Sequence, residues 1–480
     1  MNYKMIFSTL GRVFLALAAL LLLPAAVALY FREECLSAFL MSAAISFVIG
    51  IVLALVFRTK NHVIYAREGF AIVALVWLGF SSVGALPFVL GNEIHSFVDA
   101  LFETVSGFTT TGASILTDIE GMSRGLLFWR SFTHWIGGMG VLVFVMALLP
   151  NVTDRSIHLM RAEMPGPIFG KLVPRAKDTA RVLYLIYIAF TIIEIVLLLC
   201  GGMPLFDSVV HAFGTAGTGG FGIKSDSIGG YSPYLQWVIA IFMLVFGVNF
   251  NLYYMLLIRK FRMALKSTEL WSYLAIVVAS VAVICLNIYP MYENFSEVLR
   301  QSVFQVSSII TTTGYATTDF NLWPSLSKAI LVVLMFIGAC AGSTAGGLKV
   351  SRVVILFKTI GRELRKLLHP RSVNSVKFEG KSLDNAVVSA VTTYFATYVF
   401  CFIAILLVVS IEPFDFETNF TAVTACFNNI GPGLSAVGPV ESYAAYSDLS
   451  KIVLSLAMLL GRLEIYPMLL LFMPSLWSKE

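Results

Sequence analysis

Charge is what this 480-residue chain has least of: 13% of its residues are charged, against about 25% in soluble domains. Mean hydropathy is +0.85, and the apolar runs recur along the whole length, which excludes a soluble domain on a single anchor. The net charge of +5 is small and gives no case for nucleic acid. Cysteine is scarce and dispersed. Cys35, Cys200, Cys285, Cys340, Cys401 and Cys426 form no CxxC and no His-paired cluster, so they read as small buried hydrophobes rather than metal or redox ligands. Histidine is nearly missing from the apolar stretches. Only His134 and His211 lie there, and neither has a serine in a GxSxG-like setting, which argues against an intramembrane hydrolase. Acidic residues are almost as rare there, with only Glu194 and Glu464. A coupled cotransporter with a midplane ion site would need more of them. A nucleotide P-loop is also excluded: Gly342–Gly347 has the G-x-x-x-x-G spacing, but Leu348 stands where lysine is required and no soluble strand precedes it.

What the chain has in abundance is hydrophobic runs long enough to cross a bilayer, for which about 20 residues suffice. The first, through Val13-Phe14-Leu15-Ala16-Leu17 to Tyr30, is too long for the core of a signal peptide and reads as a retained span. The others are Ser37–Phe57, Phe70–Leu90, Leu126–Pro150, Ala180–Cys200, Tyr234–Ile258, Leu270–Tyr289, Ser327–Phe357, Asn385–Ser410 and Leu449–Met473. Roughly ten spans are expected. Basic residues fall on one side of them: Lys4, Arg58, Lys60, Arg67, then Arg155–Arg181, Arg259–Lys266 and Lys358–Lys381. The opposite loops are mostly acidic (Glu33, Asp99, Glu120, Glu297, Asp319, Glu412). The positive-inside rule then puts both termini in the cytoplasm.

The last eight spans form pairs, and each pair encloses an outer loop of one design. A short apolar stretch is followed by small residues and glycine: Phe97–Val105 then Ser106–Ser114; Leu205–Phe213 then Gly214–Phe221; Val298–Val306 then Ser307–Tyr315; Phe420–Phe427 then Asn428–Gly433. Gly112, Gly219, Gly314 and Gly431 recur roughly every 100 residues, the signature of a repeat. Apolar stretches this short are re-entrant rather than spanning. Non-helical backbone at membrane depth survives only where protein or a watery cavity covers it. Four Thr/Gly strands around an axis would present carbonyls that replace the hydration shell of a monovalent cation. The expected filter is Thr110, Thr111 and Gly112; Gly217, Thr218 and Gly219; Thr312, Thr313 and Gly314; Asn429, Ile430 and Gly431. The fold expected is an all-α polytopic membrane protein with four pseudo-fourfold helix–re-entrant loop–helix repeats and two extra N-terminal spans. Its divisions are 1–66, 67–177, 178–267, 268–380 and 381–480.

Ser327–Phe357 is too long for a simple span, and Gly338–Gly347 within it holds four glycines, each costing up to about 1 kcal/mol in a helix. It reads as a flexible loop that opens or blocks the pore (Gly342, Ser343, Thr344, Ala345, Gly346, Gly347); close packing through small residues is the alternative. Arg462, inside an apolar span, reads as a positive charge beside the pore, with a salt bridge to Glu464 as the alternative. Lys349 is expected to play a lesser, similar part, and Arg130 and His134 to brace the filter by hydrogen bonds.

These loops, together with Trp135–Gly140, Gly342–Lys349, Asn428–Gly433 and Gly461-Arg462, resemble the Trk/Ktr/HKT superfamily of K+ uptake proteins over nearly the whole chain. The two extra N-terminal spans resemble its TrkH branch. The resemblance implies K+ as the transported ion, no organic cofactor, a multi-pass protein of the bacterial inner membrane, a homodimer, and a cytosolic TrkA-type nucleotide-binding partner. It implies that the intramembrane loop gates the pore. In plant HKT relatives a serine at the first filter position goes with Na+ preference, so glycine at all four positions implies K+. Ala216–Gly219 and Asn428–Gly431 depart from TTTG, which implies a filter less exacting than a symmetric one.

Overall fold

The computed structural model describes residues 1–59, 65–140, 176–372 and 374–478, with the side chains of 176–179 left aside. It is helical, with one two-stranded hairpin, Lys377–Phe378 against Lys381–Ser382. Six helices among the described residues are long and apolar enough to cross a membrane: Tyr3–Phe31, Leu36–Val56, Ala66–Leu90, Ala180–Cys200, Thr268–Met291 and Asn385–Val409. The first two pack through small residues. A Cβ at Gly11 would lie 2.6 Å from the Ala54 nitrogen, and one at Gly50 2.9 Å from the Gly11 oxygen, the close backbone approach that membrane helices use. Phe14 then seats against Gly79 of the third helix.

The remaining four spans are the second members of the four pairs; the break expected inside Ser327–Phe357 is there, and the other three, expected as simple spans, are interrupted as well. Tyr234–Ile258 is a bent pair, Pro233–Phe246 and Phe250–Leu257, turned by 89°. Asn249 makes the break: its side-chain oxygen caps the lower half by accepting from Asn251 N–H at 2.9 Å. Ser327–Phe357 divides into Ser325–Phe336 and Val350–Leu368 around an irregular segment. Leu449–Met473 divides into Asp448–Arg462 and Tyr466–Leu471, with Glu464 and Ile465 at φ of 52° and 68°. Leu126–Pro150 is helical over Arg124–Gly138 and turns at Gly140, φ +85°; its remainder, and the basic residues Arg155, Arg161, Lys171 and Arg175, lie outside the described residues.

Between the members of each pair lies a short helix: Phe97–Phe108, Leu205–Gly217, Phe295–Ile310 and Phe416–Phe427. Their last turns, with the breaks of the second helices, converge on the protein's interior, where threonine, serine and asparagine are as buried as the aliphatic core. The two chain ends meet: Tyr3 Oη donates to Trp477 O at 2.5 Å, and Arg67 Nε to Leu476 O at 2.7 Å. They therefore lie at the same end of the bundle.

Candidate functional site: a ring of four turns above an intramembrane loop

All four short helices end in the same turn. Thr110, Thr218 and Thr312 at φ 56°, and Asn429 at 57°, are left-handed. The next residue in each chain donates its N–H five residues back: Thr111 to Ser106 O at 2.9 Å, Gly219 to Gly214 O at 2.8 Å, Thr313 to Ser308 O at 2.8 Å, and Ile430 to Ala425 O at 2.9 Å. This is the six-to-one bond of a Schellman cap. A left-handed threonine costs on the order of 1–3 kcal/mol and persists only where its surroundings enforce it. Then comes a glycine with positive φ: Gly112 (81°), Gly220 (74°), Gly314 (85°) and Gly431 (98°).

The glycines close a ring. A Cβ at Gly112 would lie 2.0 Å from Gly219 O, one at Gly220 2.0 Å from Thr313 O, one at Gly314 2.0 Å from Ile430 O, and one at Gly431 2.7 Å from Thr111 O. Each strand thus packs on the carbonyl of the next, in order around an axis, and both the space and the φ require glycine. The carbonyl-bearing residues at one level are Thr111, Gly219, Thr313 and Ile430. The negative ends of four helix dipoles point toward this level, which favours a cation.

The geometry shifts one strand by a residue. The sequence pattern aligns Gly219 with Gly112, Gly314 and Gly431, but dihedrals, cap bond and contacts align Gly220 with them. Gly219 matches Thr111 and Thr313, Thr218 matches Thr110 and Thr312, and Gly217 falls beside Thr109 and Thr311. Two adjacent glycines allow either register on paper, and the left-handed Thr218, the cap bond of Gly219 and the positive φ of Gly220 decide it.

The strands are unequal in their support. Thr109 and Thr111 hydroxyls lie 2.8 Å apart, as do those of Thr311 and Thr313, and Asn429 Nδ2 donates to Thr111 Oγ1 at 2.9 Å. Tyr443 Oη donates to Gly431 O at 2.8 Å. Thr110 Oγ1 and Asn429 Oδ1 are buried without a protein partner, the kind of acceptor that a cation or its water satisfies. Arg130 and His134 do bond around the ring. Arg130 donates to Glu103 at 2.8 Å and to Gly222 O at 3.2 Å, and His134 lies between Gly107 O and Phe221 N.

The interrupted segment of the third unit sits directly against the turns. Gly346 N–H donates to Thr312 Oγ1 at 2.7 Å, and a Cβ at Gly346 would lie 2.6 Å from Asn428 O. Gly338 N–H donates to Leu348 O at 2.7 Å, Cys340 N–H to Gly247 O at 3.1 Å, and Phe250 N–H to Gly342 O at 3.0 Å. The backbone on either side of the break at Gly247–Asn249 thus pairs with this loop. Lys349 Nζ folds back on Ala345 O and Gly346 O. Arg462 donates to Thr344 O at 2.7 Å, Gly137 O at 2.5 Å and Gly138 O at 2.6 Å. It is held by backbone carbonyls; Glu464 pairs instead with Arg352. A cavity of about 50 Å³ lined by Gly138, Gly140, Gly346, Lys349 and Arg462 remains beneath, room for a few waters.

Sequence reasoning missed Glu269, Asn249 and Arg352 in this region, and with Arg352 the partner of Glu464. Glu269 accepts from Ala341 N–H at 2.7 Å and Ser351 N–H at 3.1 Å, tying the loop to the start of the helix Val350–Leu368. A carboxylate at the first turn of an apolar span was the available signal.

The chain matches the family described as TrkH: Cation transport protein over residues 36–479. It is 36% identical over 485 residues, covering all of both chains, to the Trk system potassium uptake protein TrkH of Salmonella typhimurium. It is 37% identical over 463 residues to the Trk system potassium uptake protein TrkG of Escherichia coli, covering 95% of this chain and 94% of that one. The crystal structure of the potassium transporter TrkH from Vibrio parahaemolyticus superposes with a TM-score of 0.89 at 33% identity over the full length of both chains.

Proposed function

This chain belongs to the TrkH family of cation transport proteins, a transporter family and not an enzyme family, and on that premise we propose that it takes up K+ across the bacterial inner membrane through the ring of four turns. The observation that carries the reading is the fourfold cap: four left-handed residues, four equivalent N–H bonds and four positive-φ glycines, each strand packed on the next carbonyl. A dehydrated monovalent cation needs a cage of neutral oxygens of this kind. The relatives are named as potassium uptake proteins, and glycine holds all four ring positions, Gly220 in place of Gly219 included. Asn429 and the side-chain-free Gly219 break the symmetry, so K+ over Na+ discrimination is expected to be modest.

The loop Gly338–Gly347 is the proposed gate, with Arg462 and Lys349 as the charges that hold it. Its contact with Thr312 and the small cavity below support that role. Release of Arg462 from Thr344 would be the opening step. The relatives are named as parts of a Trk system, which supports a separate cytosolic component; we take it to be a TrkA-type nucleotide-binding protein acting on a homodimer. The meeting of the two chain ends supports both termini on one side, the cytoplasmic side by the basic-residue count. The divisions 1–66, 67–177, 178–267, 268–380 and 381–480 stand as the proposed repeat boundaries. Purified protein in liposomes should pass K+ and Rb+ down a gradient, faster with partner and nucleotide. No flux in either condition overturns the reading.

A further inference from the structure

Three strands of the ring carry a side chain at the carbonyl level, Thr111, Thr313 and Ile430, and the second carries none, Gly219. The reason is a residue from another unit. A Cβ at Gly219 would lie 2.3 Å from Cγ and Nδ1 of His134, which comes from the helix Arg124–Gly138 of the first unit. The imidazole is fully buried. Its Nε2 is 3.3 Å from Phe221 N and its Nδ1 2.8 Å from Gly107 O. Phe221 N–H can only donate, so Nε2 accepts, and Nδ1 carries the proton and donates to Gly107. The ring therefore joins the end of the first short helix to the strand of the second unit. Its centroid is 4.2 Å from that of Phe221. One turn earlier, Arg130 covers the Phe221 ring at 4.1 Å and bonds Gly222 O. The fit is tight on the backbone as well: a Cβ at Gly217 would lie 2.3 Å from His134 O.

We propose that His134 is a positioning residue for ion discrimination: its imidazole occupies the place where threonine side chains begin in the first and third strands, so that His134 and Gly219 act as a matched pair. This rests on the reading of the ring as the ion filter. The second strand is held through Phe221 N–H and through volume rather than through a threonine hydroxyl of its own.

The test is the ratio of K+ to Na+ flux in liposomes. His134→Ala should lower the ratio roughly tenfold, the scale of one buried hydrogen bond with its partner left unpaired. Gly219→Thr alone should lose most K+ flux, because its side chain meets the imidazole. The double variant should recover both flux and ratio relative to Gly219→Thr, since the new side chain enters the vacated space. A double variant no better than Gly219→Thr, or an unchanged ratio in His134→Ala, overturns the pairing. If His134→Ala does not fold, His134→Asn serves: it is too short to fill the place beside Gly219 and should lower the ratio in the same way, an unchanged ratio again overturning the pairing. Gly431→Ser, on the fourth strand, whose glycine packs on the first strand and not on the second, separates the two readings. If it changes selectivity and the pair variants do not, the pairing fails alone; if it too is silent, the filter reading fails.

Discussion

Arg462 Nη1 lies 2.7 Å from the carbonyl oxygen of Thr344, and this bond ties the helix Asp448–Arg462 of the fourth unit to the loop that interrupts the third. The same guanidinium reaches Gly137 and Gly138 of the first unit, so one side chain fastens three units below the ring. Charge-assisted bonds of this kind are worth about 1.5–3 kcal/mol each.

Arg462→Gln keeps a polar side chain but loses the charge and the reach. Flux should rise roughly tenfold if even one such bond holds the loop in place. The check is Rb+ uptake into liposomes alongside a gel-filtration profile. A fall in flux with an intact profile would mean that Arg462 supports the path rather than closing it.

Gly112→Ser should weaken K+ preference. The new Cβ would stand 2.0 Å from Gly219 O, and serine is strained at φ +81°, so the strand must move away from the axis. Reversal potentials in mixed K+ and Na+ should shift toward Na+. Unchanged selectivity would contradict the place given to Gly112.

Gly220→Ala tests the register of the second strand. Its Cβ would collide with Thr313 O at 2.0 Å and its φ of +74° is unsuited to alanine. K+ selectivity should fall as far as in Gly314→Ala. A silent Gly220→Ala would return the glycine position to Gly219.

Arg352 and Glu464 form a buried ion pair, with Arg352 stacked on the Tyr394 ring at 4.1 Å. Removing one partner leaves the other charge buried, at a cost of about 3–5 kcal/mol. Arg352→Met should lower the thermal unfolding temperature in detergent by several degrees, and Arg352→Met with Glu464→Leu should recover part of it. Equal loss in both variants would mean that the pair matters through packing rather than charge.

The repeat, the short helices and the Thr/Gly turns were legible because they are local: Phe97–Phe108 and its three counterparts follow from apolar length, and the glycines from spacing. The shift from Gly219 to Gly220 was not, because a left-handed Thr218 is imposed by tertiary packing and leaves no trace in composition. The breaks were legible where glycine is dense, at Gly338–Gly347. At Gly247–Asn249 the signal was a single Asn cap inside an apolar run. At Glu464 and Ile465 there was none, since neither residue favours positive φ and it is Arg352, 112 residues away, that holds the kink. Arg462 stands out in the sequence as a charge inside an apolar span, but its carbonyl partners lie in two other units and no spacing reveals them.

The most direct test of the central claim is the position of the ion itself. Crystals or vitrified protein prepared in Rb+ should show anomalous or difference density on the axis between the carbonyls of Thr111, Gly219, Thr313 and Ile430, lost on exchange to Na+. Density elsewhere in a protein that still transports Rb+, with the ring empty, would contradict the account.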